Sequence, residues 1–157
     1  MQQLTLSSYL KMEKNNVKYY HLNDESLYPH IFDNINLKNN KKLLIYLNGE
    51  VGSGKTSLVR SFINYIGGEQ DVTSPTFTII NEYNINNIKI YHYDFYRIKS
   101  IKELLTIGID HYLEQEAFHF LEWPKNFISH LPKPNIEFDF TILDSSRLLK
   151  STFKLYE

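Results

Sequence analysis

The sequence contains no cysteine among its 157 residues, and its charges nearly cancel. The lack of cysteine excludes disulfide bonds, thiolate metal sites and a cysteine nucleophile. Lys and Arg number 17 against 18 Asp and Glu, a net charge of −1, so no overall basic field is present to hold a polyanion. We therefore expect a protein that does not bind DNA.

Long hydrophobic runs are also missing. No apolar segment approaches the roughly 20 residues that cross a bilayer, so we expect no membrane association. The amino-terminal stretch MQQLTLSSYLKMEKNN has neither a long apolar core nor a small-residue cleavage site, and so does not fit a secretory signal. Together these absences predict a cytoplasmic protein.

The length permits a single domain. At about 100–200 residues per domain, 157 residues leave no room for two sizeable cores. The chain is 42% hydrophobic and 15% aromatic, which argues against long disordered segments. We interpret residues 1–18 as an N-terminal extension or tail and residues 19–157 as the domain.

Strand and helix patterns alternate along the chain. Apolar or alternating segments predict strands at 17–22, 43–47, 77–83, 88–93, 117–121, 135–143 and 147–155. Caps and helical spacing predict helices from Asn23 or Asp24 to about residue 37, over 55–66, over 100–107, and from Pro124 onward. The predicted apolar face of the first helix comprises Leu27, Ile31, Phe32 and Ile35. This order predicts an α/β fold with a mixed, mostly parallel central sheet, flanking helices and some antiparallel strands at the edge.

An uninterrupted phosphate-loop pattern, G-x-x-x-x-G-K-[ST], lies between a predicted strand and a predicted helix. Its residues are Gly49, Glu50, Val51, Gly52, Ser53, Gly54, Lys55 and Thr56. Glycines let backbone N–H groups approach phosphate oxygens, and the following helix points its N-terminus at the same anion. In this pattern Lys55 places a cation at the β- and γ-phosphates, Thr56 offers a hydroxyl to Mg²⁺, and Ser57 can donate to the α-phosphate. The context favours nucleoside triphosphate binding over a glycine-rich turn with an incidental lysine.

Two acidic residues follow buried strands and are candidates for the remaining chemistry. Glu122 comes directly after the strand at 117–121, at an edge where parallel sheets bind ligands, and can serve Mg²⁺ or orient water. Asp94 ends the strand at 88–93, and its spacing alone fits a helix cap or turn residue as well as a catalytic group. Thr76 lies in a hydroxyl-rich loop where other P-loop enzymes keep a nucleotide-sensing switch, although an ordinary turn is the simpler reading of its composition.

The histidines do not form a metal-binding pattern such as H-E-x-x-H. His92 and His119 fall within predicted strands, where packing or a structural hydrogen bond is the simpler role. Trp123, beside Glu122, either packs on the site or fills the core.

Three other classes of nucleotide-binding protein are possible alternatives. A small-molecule kinase typically closes an arginine-rich lid over the phosphoryl group, whereas this chain has only Arg60, Arg97 and Arg147. A GTPase would carry N-K-x-D and D-x-x-G, which are missing. A nucleotide-gated binding module with incidental turnover stays open, although an Asp94 and Glu122 pair favours hydrolysis.

Five segments together resemble the TsaE (YjeE) family, the bacterial ATPases of tRNA threonylcarbamoyladenosine synthesis. They are GEVGSGKTS at 49–57, SPTFTIINEY at 74–83, HYDFYR at 92–97, ELLTIGIDHYL at 103–113 and LEWP at 121–124. They occur in the family's order and at similar spacing, and the likeness runs from about residue 20 to residue 153. The resemblance implies that residues 19–157 form a P-loop ATPase domain that uses ATP and Mg²⁺.

The resemblance also implies roles for individual residues. Lys55 and the loop amides hold phosphates, and Thr56 and Glu122 serve Mg²⁺. Asp94 is needed for hydrolysis, where it binds the metal or positions water. Thr76 belongs to the switch-like loop.

The family's base pocket corresponds here to residues 24–26, with Ser26, and to the carboxyl-terminal hairpin, with Ser146 and Arg147. Ser146 stands where a glycine is common in the family.

A partner complex is implied as well. Family members have little activity alone and bind the TsaB–TsaD complex, where ATP hydrolysis resets threonylcarbamoyl transfer to the adenosine next to the anticodon. The lack of a basic stripe agrees with contact to tRNA only indirectly, through that complex.

Overall fold

The computed structural model describes residues 16–154 as one sheet covered by short helices. The strands are β1 (Val17–Leu22), β2 (Leu43–Asn48), β3 (Ile80–Ile85), β4 (Ile88–Asp94), β5 (Phe118–Glu122), β6 (Ile136–Ile142) and β7 (Arg147–Phe153). The α-helices are α1 (Pro29–Phe32), α2 (Lys55–Tyr65), α3 (Ile101–Thr106) and α4 (Ile109–Leu113). Two 3₁₀ helices span Glu25–Leu27 and Pro124–Phe127.

The sheet is mixed, with its parallel strands at the centre. Within the described residues, the seven strands run in the order β1-β7-β6-β2-β5-β4-β3. Strands β6, β2, β5 and β4 pair in parallel, whereas β1, β7 and β3 pair antiparallel toward the two edges. The predicted α/β class and the antiparallel edge strands are confirmed. Because β2, β4 and β5 are parallel, their carboxyl ends meet at one edge of the sheet, next to the loop that starts α2.

The central strands are buried on both faces of the sheet, as the continuous apolar run of β2 predicted. All six residues of β2 are buried. One face packs under α1 and α2, in a core where Ile45 and Phe120 of the sheet meet Phe62 of α2. The other face packs under α3 and α4, in a core that includes Tyr46 of the sheet and Leu104 of α3. Alternation along the central strands β2, β4 and β5 therefore divides their side chains between two cores.

The predicted helix from residue 23 to about residue 37 is wrong in length. The chain instead forms the 3₁₀ helix Glu25–Leu27, capped by Asp24, and then the four-residue α1. Pro29 explains the break, because proline has no N–H to continue the hydrogen bonds of a preceding helix but fits the first turn of a new one. The predicted apolar face survives the change, since Ile31, Phe32 and Ile35 are buried and Leu27 packs against them.

Two further boundaries differ from the sequence prediction. The strand predicted at 77–83 starts only at Ile80, because a turn closed by the Ile79 N–H and the Pro75 carbonyl occupies the preceding residues. Phe77 is consequently 84% exposed. Helix α4 was missed: Gly108, at φ 75°, ends the predicted helix and starts a second short one.

The ends of the chain limit two predictions. Most of the predicted extension at 1–18 lies outside the described residues, and β1 starts at Val17. The last strand ends at Phe153, whereas the prediction ran to residue 155. In the part of the chain that the structure describes, no helix has the length and apolarity that a membrane crossing requires.

A buried histidine in the second core makes stability depend on pH. His119 Nε2 donates to the Gln115 carbonyl at 3.0 Å, and Nδ1 lies 2.9 Å from the Tyr93 hydroxyl. Burial lowers the pKa of His119 from 6.5 to about 4. Between these values the unfolded chain takes up a proton that the folded chain does not, so the free energy of unfolding falls as pH drops through this window.

We expect His119→Asn to flatten this pH dependence, because asparagine keeps an acceptor for Tyr93 but does not titrate. Denaturant unfolding of both proteins at about pH 7.5 and about pH 5 measures the difference. If wild type and His119→Asn lose the same stability between the two pH values, groups other than His119 cause the pH dependence.

Candidate functional site

The loop at 49–54 joins the carboxyl end of β2 to the N-terminus of α2. Gly54 has a φ of 106°, and a Cβ there would clash with the Tyr28 hydroxyl. A Cβ on Gly49 would lie 2.6 Å from Ser53 Oγ and 2.9 Å from Phe140 Cβ. Both glycines are therefore required by close approach as well as by backbone conformation. The loop and the first turn of an 11-residue helix present backbone N–H groups suited to an anion.

Lys55 is the buried cation of this loop, with a side chain only 4% exposed. Its Nζ donates to the carbonyls of Gly49 and Glu50, both at 2.8 Å, and lies 4.3 Å from the centre of the Trp123 ring. Burial lowers the pKa of Lys55, and the charge of Glu122 partly opposes that shift. The ammonium group is thus held by backbone and ring contacts that an anionic ligand can replace.

The carboxylate of Glu122 links the first turn of α2 to strand β4 through hydrogen bonds. It is the last residue of β5 and is 3% exposed. Its Oε1 accepts hydrogen bonds from Thr56 Oγ1 and from His92 Nε2, both at 2.8 Å. The family resemblance implied that Thr56 and Glu122 both serve Mg²⁺, and the structure places their side chains in direct contact.

Asp94 ends β4 next to Glu122, its partner in the parallel register. Asp94 Oδ2 accepts from Ser74 Oγ at 2.6 Å and Thr76 Oγ1 at 2.9 Å, and Oδ1 accepts from the Tyr96 N–H at 2.9 Å. The alternatives that the sequence left open combine here: Asp94 caps a turn and also faces the site. Its two hydroxyl partners belong to the predicted switch-like loop.

These groups line one pocket of about 390 Å³ at the carboxyl edge of the sheet. Of the predicted site residues, the pocket brings together Val51, Gly52, Gly54, Lys55, Thr56, Ser57, Thr76, Asp94, Glu122 and Arg147. Residues lining it that were not predicted to bind nucleotide are Ser74, Tyr96 and Trp123.

The other predicted loop residues lie beside this pocket. Gly49 and Glu50 line an adjacent cavity, also of about 390 Å³, on the other side of Trp123. Ser53 is fully buried, and its hydroxyl has no hydrogen-bond partner in the described structure.

The three predicted base-pocket residues lie in different parts of the structure. Arg147 lines the pocket and donates through Nη2 to the Gly52 carbonyl at 3.3 Å, while its buried Nε has no hydrogen-bond partner among the described residues. Ser146 lies outside the lining and contacts His21 Nε2 at 2.7 Å. Ser26 donates hydrogen bonds to the Asp24 carboxylate from its hydroxyl and from its backbone N–H, and these hydrogen bonds lower the pKa of Asp24. The structure therefore brings only Arg147 of these three to the pocket.

Residues of the first helical turns approach the loop in a way that the sequence did not reveal. Tyr28 donates to the Gly54 carbonyl at 3.4 Å, and burial raises the pKa of Tyr28 to about 12. The predicted α-phosphate donor Ser57 instead donates to Glu25 Oε1 at 2.7 Å. Only the three-dimensional position of this segment could reveal either contact.

The donor atoms at the pocket suit Mg²⁺. Thr56, Glu122 and Asp94 supply a hydroxyl and two carboxylates, which are hard oxygen ligands. Among the described residues no group of three or more His, Asp or Glu side chains is arranged to hold a metal ion. At a nucleotide site Mg²⁺ is usually bound by one or two carboxylates, with phosphates and water as its other ligands.

Comparison with known proteins identifies the family. The profile of the family described as "Threonylcarbamoyl adenosine biosynthesis protein TsaE" matches residues 22–149. A Haemophilus influenzae protein named tRNA threonylcarbamoyladenosine biosynthesis protein TsaE is 36% identical over 113 residues, 72% of this chain and 72% of that protein. A relative of the same name from Rickettsia conorii is 37% identical over 109 residues, 69% of this chain and 62% of that protein.

A solved structure agrees in fold. The crystal structure of YdiB from Bacillus subtilis matches with a TM-score of 0.71 at 22% identity, covering 90% of this chain and 88% of that one. The shared architecture is that of a P-loop NTPase, and nucleotide binding is expected throughout the family. This chain belongs to the TsaE family.

Proposed function

We propose that the protein binds and hydrolyses ATP as a subunit that works with the TsaB–TsaD complex in threonylcarbamoylation of the adenosine next to the tRNA anticodon. One observation carries this proposal: Lys55, Thr56, Asp94 and Glu122 meet at one pocket where three parallel strands end. The names of the relatives support the role in tRNA modification. The net charge of −1 supports contact with tRNA through partners rather than directly.

The phosphates would be held by the loop. Backbone N–H groups of residues 49–56 and the ammonium of Lys55 supply positive groups at the centre of the loop. In hydrolysis, water forms a bond to the γ-phosphorus while the bond to the β,γ-bridging oxygen breaks, which gives ADP and phosphate. Lys55 stabilises the negative charge that develops on the phosphate oxygens.

The two acids take different parts in this proposal. We assign Glu122 to the Mg²⁺ site because its carboxylate accepts a hydrogen bond from the hydroxyl of Thr56, the residue of the loop that would bind the metal. Mg²⁺, when bound, neutralises charge on the β- and γ-phosphate oxygens. Asp94 orients the attacking water, because the hydroxyls of Ser74 and Thr76 hold its carboxylate at the pocket. Arg147 completes the pocket on the side of the carboxyl-terminal hairpin.

The test is phosphate release from ATP–Mg²⁺, measured for the protein alone and with purified TsaB and TsaD. We expect weak release alone and a strong increase with the pair, as membership of the TsaE family implies. Substantial release alone that the pair does not change would instead indicate a free-standing ATPase or a small-molecule kinase. Tight ATP binding without turnover in either case would indicate a nucleotide-gated module.

A further inference from the structure

His92 occupies a core position that an apolar side chain would fill at lower cost. Alternation along β4 puts it on the same face as Ile90 and Asp94, the face that packs under α2. Its side chain is 0% exposed. Burying an imidazole costs free energy unless its polar atoms form hydrogen bonds. A role in packing alone therefore does not account for histidine here.

The described hydrogen bond of His92 is made with Glu122. In the register of β4 and β5, Asp94 lies opposite Glu122, so His92 is diagonally across from it. A carboxylate only accepts hydrogen bonds, so His92 Nε2 donates to Glu122 Oε1, at 2.8 Å. Its other ring nitrogen, Nδ1, is buried and has no partner among the described residues.

The contact fixes the carboxylate together with the phosphate loop. Thr56 Oγ1 donates to the same atom, Glu122 Oε1, also at 2.8 Å. The two donors come from β4 and from the first turn of α2, so they restrain the carboxylate from two sides. Hydrogen bonds of this kind set the orientation of metal ligands and raise metal affinity.

We propose that His92 is a positioning residue, which holds the Glu122 carboxylate in the orientation that binds Mg²⁺ beside the nucleotide. This inference rests on the proposed function. It assigns His92 no contact with nucleotide and no proton transfer. His92 acts through one hydrogen bond, and its loss leaves the Glu122 carboxylate restrained by Thr56 from one side only.

The variants His92→Phe and His92→Asn remove the donor at the position of Nε2, while His92→Gln keeps an amide donor near it. The matched control is His119→Asn, which changes another histidine that is 0% exposed but lies on the opposite face of the sheet. Thermal melting by circular dichroism establishes which variants fold. Isothermal calorimetry then measures Mg²⁺ binding to protein loaded with the β,γ-imido analogue of ATP, which needs no turnover.

We expect Mg²⁺ affinity to fall about tenfold or more in His92→Phe and His92→Asn, to return to within about threefold of wild type in His92→Gln, and to be unchanged in His119→Asn. A folded His92→Phe or His92→Asn with wild-type Mg²⁺ affinity overturns the proposal. So does a His92→Gln that binds Mg²⁺ as weakly as His92→Phe, because the donor is then not what matters.

Phosphate release with TsaB and TsaD separates this inference from the proposed function. If wild type binds Mg²⁺ with the analogue but releases no phosphate, hydrolysis is wrong while the calorimetry still decides the role of His92. If wild type releases phosphate and the variants bind Mg²⁺ normally, the inference on His92 alone fails.

Discussion

Lys55→Ala is expected to weaken ATP binding about 100-fold or more. In the structure the Lys55 ammonium sits 2.8 Å from two loop carbonyls, at the concave side of the glycine-rich loop. A bound phosphate would replace these carbonyls with charged oxygens. Hydrogen bonds to charged groups contribute about 1.5–3 kcal/mol each, and two of them correspond to a loss of about 100-fold or more.

The measurement is calorimetric titration with ATP in the absence of Mg²⁺, so that the lysine is tested without the metal. Lys89→Ala is the matched control, because Lys89 is a lysine on β4 that is paired with Glu82 at 3.3 Å and does not line the pocket. We expect the control to bind ATP as wild type does. A folded Lys55→Ala protein with an affinity within about twofold of wild type would count against nucleotide binding at this loop.

The phosphate loop could be predicted from the sequence because the residues that form it are contiguous in the chain. The apolar run at 43–47, the eight-residue pattern and the amphipathic helix at 55–66 are contiguous, and each constrains its neighbour. The structure matches this prediction closely, with β2 at Leu43–Asn48 and α2 at Lys55–Tyr65. Glycine conformations within the loop follow from the same pattern.

Glu122 could be placed because parallel strands end at one edge, whereas Asp94 was assigned to the site only through the family resemblance. Asp94 and Glu122 are far apart in sequence, yet each follows a buried apolar run, and the register pairs them directly. What could not be predicted is which side chains hold them. The contacts of Glu122 with His92 and of Asp94 with Ser74 depend on strand register and on the turn at 75–79, which set side-chain distances but leave no signal in composition or spacing.

The first helical segment shows where local patterns fail. Its apolar spacing correctly predicted the burial of Ile31, Phe32 and Ile35, but neither the burial of Tyr28 nor the break of the backbone at Pro29. Proline is compatible with a helix start as well as a helix stop, so the sequence alone did not decide between one long helix and two short turns. The break brings Glu25 and Tyr28 toward the loop, contacts that a continuous helix did not suggest.

Glu122→Ala is expected to keep Mg²⁺-free ATP binding and to lose phosphate release by about 100-fold or more in the presence of TsaB and TsaD. In the proposed function the loop and Lys55 hold the phosphates, and the substitution leaves these residues unchanged. Glu122 contributes through Thr56 and the Mg²⁺ that we assign to this pair. Removing a group that stabilises the transition state lowers the rate with little effect on ground-state binding.

The alanine variant also leaves the buried Nε2 of His92 without its acceptor, which costs about 1–3 kcal/mol of stability. Glu122→Gln avoids this loss, because its amide oxygen still accepts from His92 and Thr56 while the negative charge is gone. We expect the glutamine variant to fold as wild type does and still to lose most phosphate release. Glu82→Gln, the same change at an exposed position of the edge strand β3, serves as the control and should release phosphate normally. Full partner-stimulated release by Glu122→Gln would remove the Glu122 charge from the mechanism and leave Asp94 as the acid that hydrolysis requires.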